Sequence, residues 1–154
     1  MADQAIPRID LEYAFSIRII FKERIEFTGP YGGRGYVPPA SGEIWGPRLQ
    51  GRVVPYSGAD FARFTDLTRG ISVNTHYMLQ ADDGTYIYIR NLGYLYRPPV
   101  PEGGTAGPPY FRMSPYFDAP TGPHDWLTRT VIIGTGERRS EPFDHSLFTY
   151  YAVR

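Results

Sequence analysis

The stretch ISVNTHYMLQADDGTYIYIRNL, Ile71 to Leu92, decides the fold. Its two arms, Ile71–Gln80 and Thr85–Leu92, are rich in β-branched and aromatic residues, which suit a pleated, half-buried surface. Between them stands Ala81-Asp-Asp-Gly84, and Asp-Gly joining two such arms is the strongest short hairpin signal a sequence offers. A second strand lies upstream. In Leu11–Phe21 large apolar residues hold the odd positions and smaller or polar ones the even positions, a period of two that marks a half-buried strand.

The rest of the chain is punctuated at short intervals. The glycines and prolines of Tyr31–Pro39 permit positive φ and remove donors, which predicts a loop, followed by short strands at Glu43–Trp45 and Leu49–Tyr56. Residues 97–109 are dense in proline and glycine and read as a loop, either mobile or covering an opening. Further strands are predicted at Tyr110–Met113, Tyr116–Asp118, Trp126–Gly136 and Leu147–Val153. No stretch has the pattern of a long amphipathic helix. The expected fold is therefore all-β, a single antiparallel barrel of about eight to ten strands, because closure removes the edges that aromatic strands would otherwise expose. No polar linker or internal repeat divides the chain, so residues 1–154 read as one domain.

Composition agrees with this and narrows the partners. Tyr and Phe number 13 and 9, and the hydrophobic share of 42% in 154 residues suffices for a core without cross-links. Lys plus Arg and Asp plus Glu are equal at 16 each, leaving no long-range field to draw phosphate backbones or anionic membranes. Neither nucleic acid nor membrane is expected as a partner. The basic residues are nearly all arginine, which suits planar recognition of carboxylates and also follows from base composition of the coding DNA. Cysteine is absent, which excludes disulfides and thiolate metal sites. The first twelve residues lack the apolar run of a secretory signal, so the expected location is cytoplasmic.

Five segments taken in order, Gly42–Asp60, Tyr77–Gly84, Tyr88–Gly93, Tyr110–Arg112 and Trp126–Gly134, resemble the bacterial and fungal family known as domain of unknown function 3237. The resemblance spans nearly the whole chain. It implies a small calycin-like barrel, often a homo-oligomer, and for most members it assigns no activity. Short glycine-rich edge segments and the surplus of aromatics point to a dimer or larger ring, with a dimer as the first expectation. Where the family pattern has an Asp-x-Arg-Tyr run, this chain has Asn74-Thr-His-Tyr77. The exchange either removes an ion pair or adds a titratable imidazole.

His76 is the first candidate for chemistry, since imidazole gives and takes protons near neutral pH. Asn74 shares its strand parity, and if that face is the interior, Asn74 binds a substrate carbonyl beside it. A hydrogen-bonded structural histidine is the plainer alternative. Asp60, after Ser57-Gly-Ala, reads either as a rim carboxylate that orients His76 or Arg112, or as a turn cap. Arg112, between Phe111 and Met113, is either paired with an acid or aimed into a cavity to stabilise an enolate. Tyr77, Tyr88, Tyr110, Phe117 and Trp126 are candidate substrate-binding walls, with plain core as the alternative. The three histidines lie in separate segments without metal-binding spacing, Gly32-Gly-Arg-Gly35 lacks the Lys-Ser/Thr of a phosphate loop, and no Gly-x-Ser-x-Gly elbow occurs. Neither a metal nor a cofactor is expected. The sequence thus leads to a cofactor-independent isomerase, cyclase or lyase acting on a hydrophobic, carbonyl-bearing small molecule, aromatic or polyketide-like. A non-catalytic binding or carrier protein of calycin type is the alternative.

Overall fold

The computed structural model describes residues 5–66 and 70–154. Twelve strands form one antiparallel sheet: β1 Leu11–Phe21, β2 Ile25–Gly29, β3 Gly32–Tyr36, β4 Pro39–Trp45, β5 Gly51–Val53, β6 Ala59–Asp60, β7 Arg63–Asp66, β8 Gly70–Ala81, β9 Tyr86–Tyr96, β10 Tyr110–Asp118, β11 Ile132–Arg139 and β12 His145–Val153. Eight of them, in the order β8-β5-β4-β1-β12-β11-β10-β9, close on themselves through the long β8–β9 pairing. The β2–β3 hairpin and β7 form a flap hydrogen-bonded to the upper half of β8. Among the described residues there is no α-helix, and none is long and apolar enough to cross a membrane.

The β8–β9 hairpin turns over Asp82 to Thr85, as its Asp-Gly pair requires, with Gly84 in the left-handed region at φ 89°. Strand β1 has the predicted limits, but its alternation is interrupted. A bulge between Tyr13 and Phe15 leaves Leu11 and Tyr13 outside while Phe15, Ile17 and Ile19 are wholly buried.

Three local expectations are corrected. The glycine-rich stretch read as a loop contains strand β3, because it sits in a flap whose missing side chains make room. A Cβ at Gly33 or Gly35 would stand 3.0 or 3.2 Å from the Phe64 ring. The two strands expected around Ser114 are one, β10, and its Pro115 is tolerated because β11 pairs with β10 only at Arg112 and Met113. The strand expected from Trp126 begins at Ile132; Asp125–Thr128 is instead a 3₁₀ turn.

That turn closes one end of the barrel. Leu127 inserts with 2% of its surface exposed, Trp126 packs edge-on to Phe15, and the Arg48 guanidinium lies 3.7 Å from the Trp126 ring. His124 Nε2–H donates to Asp83 Oδ2 at 2.8 Å, pinning the turn to the tip of the β8–β9 hairpin. The opposite end, where β8 and β10 begin and β9 finishes, is bordered by the 97–109 loop and the flap.

Candidate functional site

The open end holds an inner cavity of about 100 Å³. Its walls are mostly apolar, including Phe64, Ile71, Val73, Leu95, Phe111 and Phe148. Asp60, Thr75 and Ser146 supply polar groups, and Arg24, Glu26 and Arg138 border it, Arg24 being paired with Glu26 at 3.5 Å. Above it an outer hollow of about 680 Å³ runs beneath Pro108 and Pro109 and shares Ile71, Leu95, Phe111 and Arg138 with the cavity. The inner space alone falls short of the roughly 300–1,000 Å³ of most ligand sites, whereas the hollow lies within that range.

Asp60 reaches the cavity through an irregular crossing. The chain from Gly51 to Asp66 runs antiparallel along β8 in three short pieces, β5, β6 and β7, interrupted after Val53 and again after Asp60. At the first break Ser57 Oγ accepts the Met78 N–H at 2.8 Å and donates to the Val54 carbonyl at 2.7 Å. Gly58 then lies so near β8 that a Cβ there would be 1.7 Å from the His76 carbonyl oxygen. Pairing resumes with Asp60 opposite Thr75, whose side chain is inward and 4% exposed. Opposed residues share a face, so the Asp60 carboxyl is inward too.

Burial, above all, raises the Asp60 pKa from its ordinary value. The Asn74 N–H, donated to Oδ1 at 3.2 Å, opposes this, as do the Thr75 hydroxyl and the charge of Arg24, but desolvation outweighs them. A carboxyl with a raised pKa in an apolar cavity is equipped to move protons nearer neutral pH.

The layer beneath the cavity contains Tyr77, Tyr150 and Asn91, each at most 1% exposed. Among the described residues their side-chain polar atoms make no well-formed hydrogen bond, though the two phenols and the Asn91 amide lie close enough to affect one another's titration. Burial pushes both phenols above their ordinary range, so both remain protonated donors.

The other sequence candidates are distributed over the molecule. Asn74 and His76 face outward. His76 Nε2–H donates to Asn74 Oδ1 at 3.1 Å, and Nδ1 accepts the Tyr88 hydroxyl at 2.6 Å. Arg90 Nε also donates to Asn74 Oδ1 at 3.2 Å. Arg112 is outside the barrel wall, donating to the Phe111 carbonyl at 3.0 Å, and it borders the outer hollow. Tyr110 is exposed and stacks on Tyr96 with ring centroids 4.8 Å apart. Phe117 and Trp126 pack against Phe15 at the closed end, far from the opening. The barrel thus brings Asn74, His76 and Tyr88 together on its outer face and sets Asp60 apart, inside.

Thr75, Phe111, Phe148 and Arg138 line the cavity and were not singled out in the sequence. For Thr75 the signal was present. Apolar Ile71, Val73, Tyr77 and Leu79 share its parity, while polar Ser72, Asn74, His76 and Gln80 alternate with them.

A family model described as protein of unknown function (DUF3237) matches residues 9–153. The chain belongs to this family. Among DUF3237 relatives, a UPF0311 protein of Rhodopseudomonas palustris is 27% identical over 146 residues, covering 88% of this chain and 92% of its own. A UPF0311 protein of Clostridium acetobutylicum is 27% identical, covering 96% of each chain. A solved β-barrel-like protein from Acinetobacter baumannii superposes with a TM-score of 0.85 at 24% identity, covering 99% of this chain and 100% of its own. An enzyme from Penicillium herquei superposes with a TM-score of 0.72 at 19% identity, each chain covered in full. These likenesses establish the barrel fold.

Proposed function

We propose that this DUF3237 protein is a cofactor-independent enzyme that admits a hydrophobic, carbonyl-bearing small molecule at its open end and acts on it by acid–base catalysis, as an isomerase, cyclase or lyase. One observation carries the reading: the Asp60 carboxyl, with its raised pKa, lines a mostly apolar cavity. In this scheme the ionised Asp60 removes a proton from the carbon beside the carbonyl, leaving an enolate, and returns it at a second carbon or to a leaving group. Thr75 and the Asn74 N–H hold the carboxyl in place. The Penicillium herquei neighbour, described as an enzyme, is in keeping with a catalytic use of this barrel.

Deuterium wash-in from heavy water tests the proposal without knowledge of the product. A panel of aromatic and polyketide-like ketones incubated with the protein and read by mass spectrometry is expected to contain members that exchange. Asp60→Asn is expected to slow that exchange by about 10²–10⁴-fold, the usual contribution of a positioned acid or base. Exchange undiminished in Asp60→Asn would overturn the role of Asp60.

A carrier reading has its own supporting observation. The larger space, the outer hollow, contains Glu137 as its one carboxylate among the described residues, and that group is held by Arg139 through bonds of 2.9 and 3.0 Å. Panel members that bind and are recovered without exchange favour the carrier.

A further inference from the structure

Among the described residues the charges around the outer hollow do not cancel. Four charged side chains of these residues line it: Arg97, Arg112, Glu137 and Arg138. Glu137 is neutralised from outside by Arg139, and Arg138 Nη2 is held by both oxygens of Asp144 at 2.7 and 2.9 Å. Arg97 and Arg112 have no carboxylate partner among the described residues. Arg112 has the Phe111 carbonyl and, 5.4 Å from its guanidinium carbon, the Tyr110 ring, itself stacked on Tyr96. Among the described residues, then, two guanidiniums without a carboxylate partner stand at the mouth of a passage whose walls, Ile71, Leu95 and Phe111, are apolar and whose far end holds a carboxyl.

That polarity has a direction. The guanidiniums at the inner end are already paired, Arg24 with Glu26 and Arg138 with Asp144. An anionic group there would therefore meet Asp60 and lose its water among mostly hydrocarbon walls, whereas at the mouth it meets planar donors that match an oxyanion. We infer that the ligand is an amphipathic anion, its ring or chain descending past Ile71, Leu95 and Phe111 toward Asp60 and its anionic oxygens held by Arg97 and Arg112. This rests on the proposed function and adds the substrate's class and its orientation in the site.

Two fluorescent probes differing by one group test it: anilinonaphthalene sulfonate and its sulfonate-free parent, N-phenylnaphthylamine. The sulfonate is expected to bind the wild-type protein about tenfold tighter or more than the parent, the scale of one charge-assisted pair. Arg97→Gln/Arg112→Gln is expected to remove that preference while leaving binding of the neutral parent unchanged, which also certifies that the variant is folded. Raising the ionic strength on the wild-type protein is expected to weaken the sulfonate alone. Displacement of the bound sulfonate by naphthoate or by naphthyl phosphate then identifies the oxyanion preferred.

Equal affinity of the two probes overturns this inference and leaves the cavity reading standing. A preference that persists in the double variant, or displacement by neither naphthyl anion, also overturns it. Failure of both probes to bind overturns the inference and the proposed function together.

Discussion

Asp60 lies directly opposite Thr75 in the pairing of β6 with β8, so its carboxyl faces the inner cavity, while His76, one residue further along, is half-buried on the outer face against Tyr88 and Asn74. A single step of strand parity separates the two residues with acid–base capacity on this part of the barrel.

The raised pKa of Asp60 makes stability depend on pH with a definite sign. The folded chain holds this proton at pH values where the unfolded chain has released it, so stability falls as pH rises through the folded-state pKa. Asp60→Asn removes that loss. Its melting temperature is expected to exceed that of wild type at pH 8, with the advantage disappearing below about pH 4, where the carboxyl is protonated in both states. Melting curves from pH 3 to 8 check this; a difference independent of pH would contradict it.

His76→Ala is expected to leave cavity binding of a neutral probe within about twofold, because the imidazole is on the other side of the barrel wall. The variant loses the bonds to Asn74 and Tyr88, which at about 1 kcal/mol each for partly exposed groups lower the melting temperature by a few degrees. A tenfold loss of probe affinity with an unchanged melting temperature would show that the outer cluster acts on the interior.

Gly58→Ala places a methyl group 1.7 Å from the His76 carbonyl oxygen, backbone against backbone. Neither element can yield without breaking the β6–β8 pairing that positions Asp60. The expected cost is about 3 kcal/mol or more, and probe binding should fall with it. Denaturant titration measures the first and fluorescence the second. Gly84→Ala makes a useful contrast, since no atom lies within 4 Å of a Cβ there and only the positive φ opposes it.

Leu127→Ala removes the side chain that closes the far end of the barrel. A fully buried leucine costs about 2–5 kcal/mol on truncation, and the spread reflects how far the surroundings collapse. Because the cavity is at the opposite end, probe affinity at a temperature where the variant is folded should stay within about twofold of wild type. Coupled losses of stability and affinity would argue that the two ends communicate.

Asp83 at the hairpin tip is held down to about 2 by the Thr85 N–H first, then by the Thr85 hydroxyl and by His124. Its folded-state pKa is depressed, so the stability it contributes is present above about pH 4 and is lost as pH falls toward 2. Asp83→Asn is expected to flatten that part of the acid-unfolding profile, as followed by circular dichroism.

Period-two alternation and turn chemistry are local properties, and so the sequence by itself determined the all-β class, the strand from Leu11 to Phe21 and the hairpin around Asp82 to Thr85. It also contained the inward parity of Thr75, through the apolar residues on either side of it in β8. What it could not contain is which chain segments meet. The closing of Asp125–Thr128 over Phe15, the tolerance of glycines 33 and 35 beneath Phe64, and the placing of Asp60 inside all follow from pairings between residues distant along the chain. The same holds for the site. Asn74 and His76 attract notice as residue types, but the alternation that turns Thr75 inward turns them outward, and only the closure of the sheet makes the buried face border a cavity. Closure turns β8's apolar parity inward and brings Asp60, from a two-residue strand too short to announce itself, against the cavity.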